Sequence, residues 1–158
     1  MTHVLVLLLA LGIGFVSGLR AFTAPAAIAW AAALDWIDLS GTWASWAGHW
    51  ATVAVLTTLA VVEYITDQLP KTPSRKSTPQ FAARLIAGGF AGAVLGAAWG
   101  YTMGSLGAGV IGAVLGTLGG YEARLVAANG GRDLPVALAE DLIAIGGWIL
   151  IAYLTSAV

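Results

Sequence analysis

Eight acidic and seven basic residues carry all the formal charge in this 158-residue chain, and their spacing sets what chemistry is available. Glu63 and Asp67 stand four apart, on one face of a helix, where like charges repel slightly. Glu140 and Asp141 are adjacent, and Glu122 lies two residues before Arg124. Carboxylate oxygens suit a proton or a hard cation such as Mg²⁺, Ca²⁺ or Na⁺. Glu63, Asp67, Arg84, Glu122, Glu140 and Asp141 therefore form a candidate ion or proton site, with Arg20 and Arg124 as supporting charges. No cysteine is present and the two histidines are far apart, which disfavours soft metals and excludes a thiol nucleophile. His49, between Trp46 and Trp50, reads as an interfacial residue rather than a ligand. Ser17 sits in no nucleophile elbow, and Asn129-Gly130-Gly131 lacks the Gly-Lys-Ser/Thr that a phosphate loop needs. The chain is expected to be no enzyme and to carry no cofactor. Its net charge of −1 offers no basic face for nucleic acid.

The elements that hold these charges must be apolar helices. Hydrophobic residues make up 59% of the chain and charged residues 9%, with a mean hydropathy of +0.87. A soluble domain carries about 25% charged residues, so water is the wrong solvent for this surface. Continuous runs rich in Ala, Leu and Gly exclude a membrane barrel, whose strands alternate in polarity. The run 85–121 has no charge and would be about 55 Å long as one helix, almost twice a bilayer core, so it must fold back near Trp99–Ser105. The pattern predicts an all-α membrane protein, one domain over 1–158, in six segments: about 3–19, 23–37, 44–67, 79–99, 103–125 and 135–156. The second is short enough to be tilted or re-entrant. No Lys or Arg precedes the first apolar run and no clear A-x-A cleavage site follows it, so this helix is expected to be retained.

With six segments, Arg20, Lys71, Arg75, Lys76, Arg84, Arg124 and Arg132 all fall at one membrane face, and Asp35 and Asp38 at the other. The positive-inside rule makes the basic loops cytoplasmic and puts both termini outside. Trp36, Trp43, Trp46, Trp50, Trp99 and Tyr153 gather at the outer face as an aromatic belt.

Three hairpins share a plan in which a charged turn is followed by a proline-opened helix. The second and third match best, which suggests an internal repeat; in transporters such repeats place sites at their interface. Gly88, Gly92, Gly96 and Gly100 are spaced by four, as are Gly104, Ala108, Gly112, Gly116 and Gly120. Such stripes allow close approach of helices in lipid, so the bundle is expected to be a compact glycine zipper, with one stripe available for a homodimer. The helix dipole then sorts the charges. Arg20, Arg124, Glu140 and Asp141 agree with it, whereas Glu63, Asp67, Glu122 and Arg84 oppose it and need partners. Arg84 is the expected counter-ion of Glu63 and Glu122.

The stretches Gly-Leu-Arg-Ala-Phe-Thr-Ala-Pro (18–25), Leu-Pro-Lys-Thr-Pro-Ser-Arg (69–75), Pro-Gln-Phe-Ala-Ala-Arg (79–84), Gly-Gly-Tyr-Glu-Ala-Arg (119–124) and Leu-Pro-Val-Ala-Leu-Ala-Glu-Asp (134–141) resemble a bacterial integral-membrane family known as a domain of unknown function. The resemblance implies a stand-alone helical membrane protein and brings no activity with it. Two functions fit the residues. One is a transporter or channel for a cation, a proton-coupled solute or another small solute. The other is a structural or lipid-interacting scaffold whose charges are a salt-bridge staple. The expected partners are the lipid bilayer, a second copy of the chain and a small solute or cation. Cysteines introduced at positions 2 and 157 should both react with an impermeant reagent from outside. Protection of either breaks the six-segment topology.

Overall fold

The computed structural model describes residues 2–66 and 78–129, together with Leu142, Ile143, Gly146, Gly147 and Ile149. Among these residues there are five α-helices, one 3₁₀ turn and no strand. The helices are α1 (His3–Leu19), α2 (Thr23–Ala33), α3 (Trp50–Thr66), α4 (Thr78–Ala97) and α5 (Thr102–Asn129), with the 3₁₀ turn at Ser45–Gly48. Pro79–Ala97 and Thr102–Ala123 are long and apolar enough to cross a membrane, and the other three helices are apolar but shorter. At 1.5 Å per residue, α1 and α3 are about 26 Å long, α4 about 30 Å, α5 about 42 Å and α2 only about 17 Å.

The first segment ends where the sequence places it, and the others shift. The second stops at Ala33 rather than 37, because Leu34 leaves the helical region and Asp35 adopts φ +57, the left-handed conformation that closes a helix. Trp36 N–H then bonds back to the Ala31 carbonyl at 2.9 Å. The third segment is regular only from Trp50, since 45–48 wind as a 3₁₀ turn. The reversal near 99 closes on Gly100 at φ +76, with Tyr101 N–H on the Gly96 carbonyl at 2.8 Å. The α5 helix continues to Asn129, so Glu122 lies about two turns inside it rather than at its end. The same extension places Arg124 inside the helix. The turn expected at 67–78, most of the segment expected at 135–156 and the turn of the third hairpin lie outside the described residues.

Helices α1, α4 and α5 form the tight part of the bundle, and glycine sets their spacing. A Cβ built on Gly112 or Gly116 would strike the backbone carbonyls of Leu11 or Phe15, and one on Gly14 or Gly18 would strike the backbone of α5 at Gly109 or Ala113. The paired numbers rise together, so α1 and α5 run parallel. Across α4 and α5 they run oppositely: Gly88 faces Gly109 and Ala113, while Gly96 faces Ser105 and Tyr101. Gly88, Gly92 and Gly96 of the first stripe thus meet α5, Gly100 meets nothing, and Gly112 and Gly116 of the second meet α1. Gly14 and Gly18 supply the matching recesses on α1.

Helix α2 is buried on nearly every side and joins this trio to α3, which packs on α2 and on the 3₁₀ turn. A helix apolar all round belongs inside a bundle. Trp30 donates its indole N–H to Thr57 Oγ1 at 3.0 Å and meets Trp50 edge-on at 5.8 Å, fixing the antiparallel register of α2 and α3.

Gly112→Ala should lower thermal stability in detergent by about 1–3 kcal/mol, since the added methyl meets backbone that cannot step aside. Gly107, whose missing Cβ points into open space, is the control. Gly107→Ala should be neutral or stabilising by up to about 1 kcal/mol, the helix-propensity gain. Equal effects at the two positions would contradict this seam geometry.

Candidate functional site

The chain between α1 and α2 makes a break at the charged end of the bundle, and four helices converge on it. Arg20 leaves the helical region at φ −142 after bonding its N–H to the Val16 carbonyl at 2.9 Å. Three residues later α2 begins, with no side-chain cap of its own: Phe22 holds the N-cap position, where Ser, Thr, Asp or Asn is usual. The amides of Ala21 and Phe22 consequently have no partner within α2.

Glu63 supplies the acceptor from another helix. Ala21 N–H donates to its Oε1 at 2.6 Å and Phe22 N–H to its Oε2 at 2.8 Å. An acid in the last turn of α3 opposes the dipole of that helix, at a cost of about 0.3–1 kcal/mol. Each hydrogen bond to a charged group contributes about 1.5–3 kcal/mol, so the two bonds outweigh that cost. The start of α2 adds its own positive end to the same carboxylate. The dipole conflict read from the sequence at Glu63 is thus met by peptide N–H groups.

The other charges of the joint lie close by. Arg20 is 1% exposed, and its guanidinium carbon sits 4.7 Å from the centroid of the Tyr64 ring, a cation–π contact. Arg84 is 3% exposed in α4, and its carbonyl accepts from the Ser17 hydroxyl at 3.2 Å. That hydroxyl also reaches the Ala21 carbonyl at 3.2 Å. Thr117 on α5 donates to the Gly18 carbonyl at 3.1 Å and to the Ala113 carbonyl at 2.8 Å. Every helix of the tight trio, and α3 through Glu63, therefore bonds to residues 17–22.

Of the candidate residues, the structure gathers Arg20, Glu63 and Arg84 around this break. Glu122 is exposed on α5. Asp67, Glu140 and Asp141 lie outside the described residues, as does the side chain of Arg124. Ala21, Phe22, Tyr64, Ser17 and Thr117 were not among the candidates. An uncapped helix start after Arg20 was the sequence signal that an outside acceptor is required; the partners of Ser17 and Thr117, far apart in the chain, left none. No group of three or more His, Cys, Asp or Glu among the described residues is arranged to hold a metal ion. At the far end, Asp38 has its carboxyl held below the usual range by the Ser40 hydroxyl at 2.5 Å and then by the Ser40 amide at 2.8 Å.

Glu63→Ala leaves two N–H groups without their carboxylate and should cost roughly 3 kcal/mol or more. Glu63→Gln keeps one acceptor oxygen and should recover part of that loss. Thermal unfolding in detergent tests the order parent, Gln, Ala; an alanine variant as stable as the parent contradicts the bridging role.

No curated protein and no solved structure matches the chain. The family described as Domain of unknown function (DUF4126) matches residues 7–155, a span that holds the whole joint from Ser17 to Thr117. The chain belongs to that family.

Proposed function

We propose that this protein is a multi-pass protein of the bacterial inner membrane that passes a cation, a proton-coupled solute or another small solute, using the charged joint at its cytoplasmic side. The observation that carries the reading is the burial of Arg20 and Arg84 in an apolar bundle, at the α1–α2 break whose amides the Glu63 carboxylate binds. Ionisable groups held inside a membrane bundle are expensive and mark ion or proton routes by default. Glu63, Asp67, Glu122, Glu140 and Asp141 are the proposed acids of that route. Arg84 is the proposed counter-ion of Glu63 and Glu122, and Arg20 and Arg124 shape the field. The two helices apolar enough to cross a membrane support the membrane reading. Glycine-zipper packing, three related hairpins and a homodimer complete the proposal.

A second reading is favoured by a specific observation. Both oxygens of Glu63 are engaged by peptide N–H groups, so the joint also works as a staple in a scaffold that moves no solute. Flux through purified protein in liposomes separates the two. The transport reading expects proton or cation flux that Glu63→Gln abolishes while the variant still folds. Absence of flux for protons, Na⁺, K⁺ and Mg²⁺ in folded parent protein favours the staple.

A further inference from the structure

Helix α3 hangs on the bundle by a narrow strip. Val53 and Ala60 are its buried residues, and most of the others are exposed. Beside that strip runs an open groove of about 460 Å³. Trp50, Ala54, Thr57, Thr58 and Val62 help build its α3 wall, and Trp30 of α2 closes the other side. The α3 positions recur every three or four residues, so they make one face of that helix. Trp50 and Val62 are twelve residues apart, which makes the groove about 18 Å long. The polar groups in it are engaged within the chain: the Trp30 indole N–H donates to Thr57 Oγ1 at 3.0 Å, and the Thr58 hydroxyl to the Ala54 carbonyl at 2.8 Å. No charged residue lines it. Its complement is a slim chain with neither charge nor hydrogen-bonding groups.

We propose that this groove binds one acyl chain of a phospholipid without net charge, taken from the leaflet at the aromatic end; the inference rests on the membrane part of the reading above and not on solute flux. The length fits, because one leaflet contributes about 15 Å of hydrocarbon, half of a core of about 30 Å. The width fits a single chain better than a second copy. Eight residues line the groove, against about 20–30 a side in a stable protein interface. Helix α3 also has no glycine, so its branched Val and Thr side chains keep a partner helix from close approach. The last apolar segment of the chain is committed elsewhere at Gly147, where a Cβ would stand 3.1 Å from Val16 Cγ2 of α1. Left empty, the groove would forfeit dispersion contacts along its walls. Trp50, 63% exposed at the upper end, suits the head-group level, where tryptophan is enriched. The charges between Arg20 and Glu63 are Asp35 and Asp38, which repel an anionic head group. A chain seated there covers the Trp30–Thr57 bond that sets the register of α2 and α3.

The test is photolabelling in phosphatidylcholine vesicles that contain a phosphatidylcholine with a diazirine on one acyl chain, with adducts mapped by peptide mass spectrometry. Trp30 and the groove face of α3 should carry roughly fivefold more label per exposed residue than Met103, Ile111 and Leu115 of α5, a ratio equivalent to about 1 kcal/mol. Ala54→Leu fills the groove and should bring its label down to the α5 level. Val55→Leu, exposed and outside the groove, should change nothing. Both positions lie on the surface of α3, so both variants should fold. A phosphatidylglycerol with the same diazirine chain should label the groove less; equal labelling overturns the choice of a neutral head group. Equal label on α3 and α5 in the parent, or no effect of Ala54→Leu, means unselective lipid contact and overturns the site. Less label on α3 than on α5, with α3 cross-linking between copies, puts a second copy there and overturns it too. No label on any helix contradicts the membrane reading itself, and this inference with it.

Discussion

Two peptide N–H groups, of Ala21 and Phe22, must find an acceptor where the chain turns from α1 into α2, and the carboxylate of Glu63 is that acceptor. An unsatisfied buried peptide group costs about 1–3 kcal/mol, so the break exists only because α3 brings an acid to it. The bond is long-range, spanning about 40 residues, and it fixes where α3 stands relative to α2. Trp30 and Thr57 then extend the same register toward the aromatic end. The position of α3 is thus set by polar bonds at one end and aromatic contact at the other.

The tight trio solves a different problem. Helices α1, α4 and α5 approach until backbone meets backbone, and only hydrogen at the α-carbon permits it at Gly14, Gly18, Gly88, Gly92, Gly109, Gly112 and Gly116. Gly18 belongs to both systems: its missing side chain admits α5, and its carbonyl accepts from Thr117. The Gly-Leu-Arg-Ala-Phe-Thr-Ala-Pro stretch is therefore dense with constraint. Gly18 allows contact, Arg20 carries buried charge, Ala21 and Phe22 offer donors, and Pro25 sits in the first turn of α2, where its missing N–H has no intrahelical partner to lose.

Much of the helical plan was legible in the chain because charge-free runs of fixed length admit few alternatives. The end of α1 fell where Arg20 stops the run. The end of α2 did not, because Leu34, Trp36 and Ile37 extend the apolar pattern past Asp35; Asp35 in the left-handed region ends the helix instead. Glu122 reads as a helix-terminal acid because the charge-free run stops at Tyr121, yet α5 continues about two turns further. The site was legible in its residue types and not in its bonds. An acid opposing its own helix dipole announces a missing partner, and the partner proved to be main chain, which no side-chain pattern names. Nor does a one-dimensional stripe of glycines state which helix it faces; α1 became the partner of Gly112 and Gly116 only in three dimensions.

The central claim is that Glu63 holds the start of α2, and amide hydrogen exchange at Ala21 and Phe22 tests it most directly. These two amides lie outside every helical ladder, so ordinary turn residues in their place would exchange fast. The account predicts slow exchange at both in the parent and selective loss of that protection in Glu63→Ala, with the mid-helix amides of α5 unchanged. Fast exchange in the parent, or protection that survives Glu63→Ala, would contradict it.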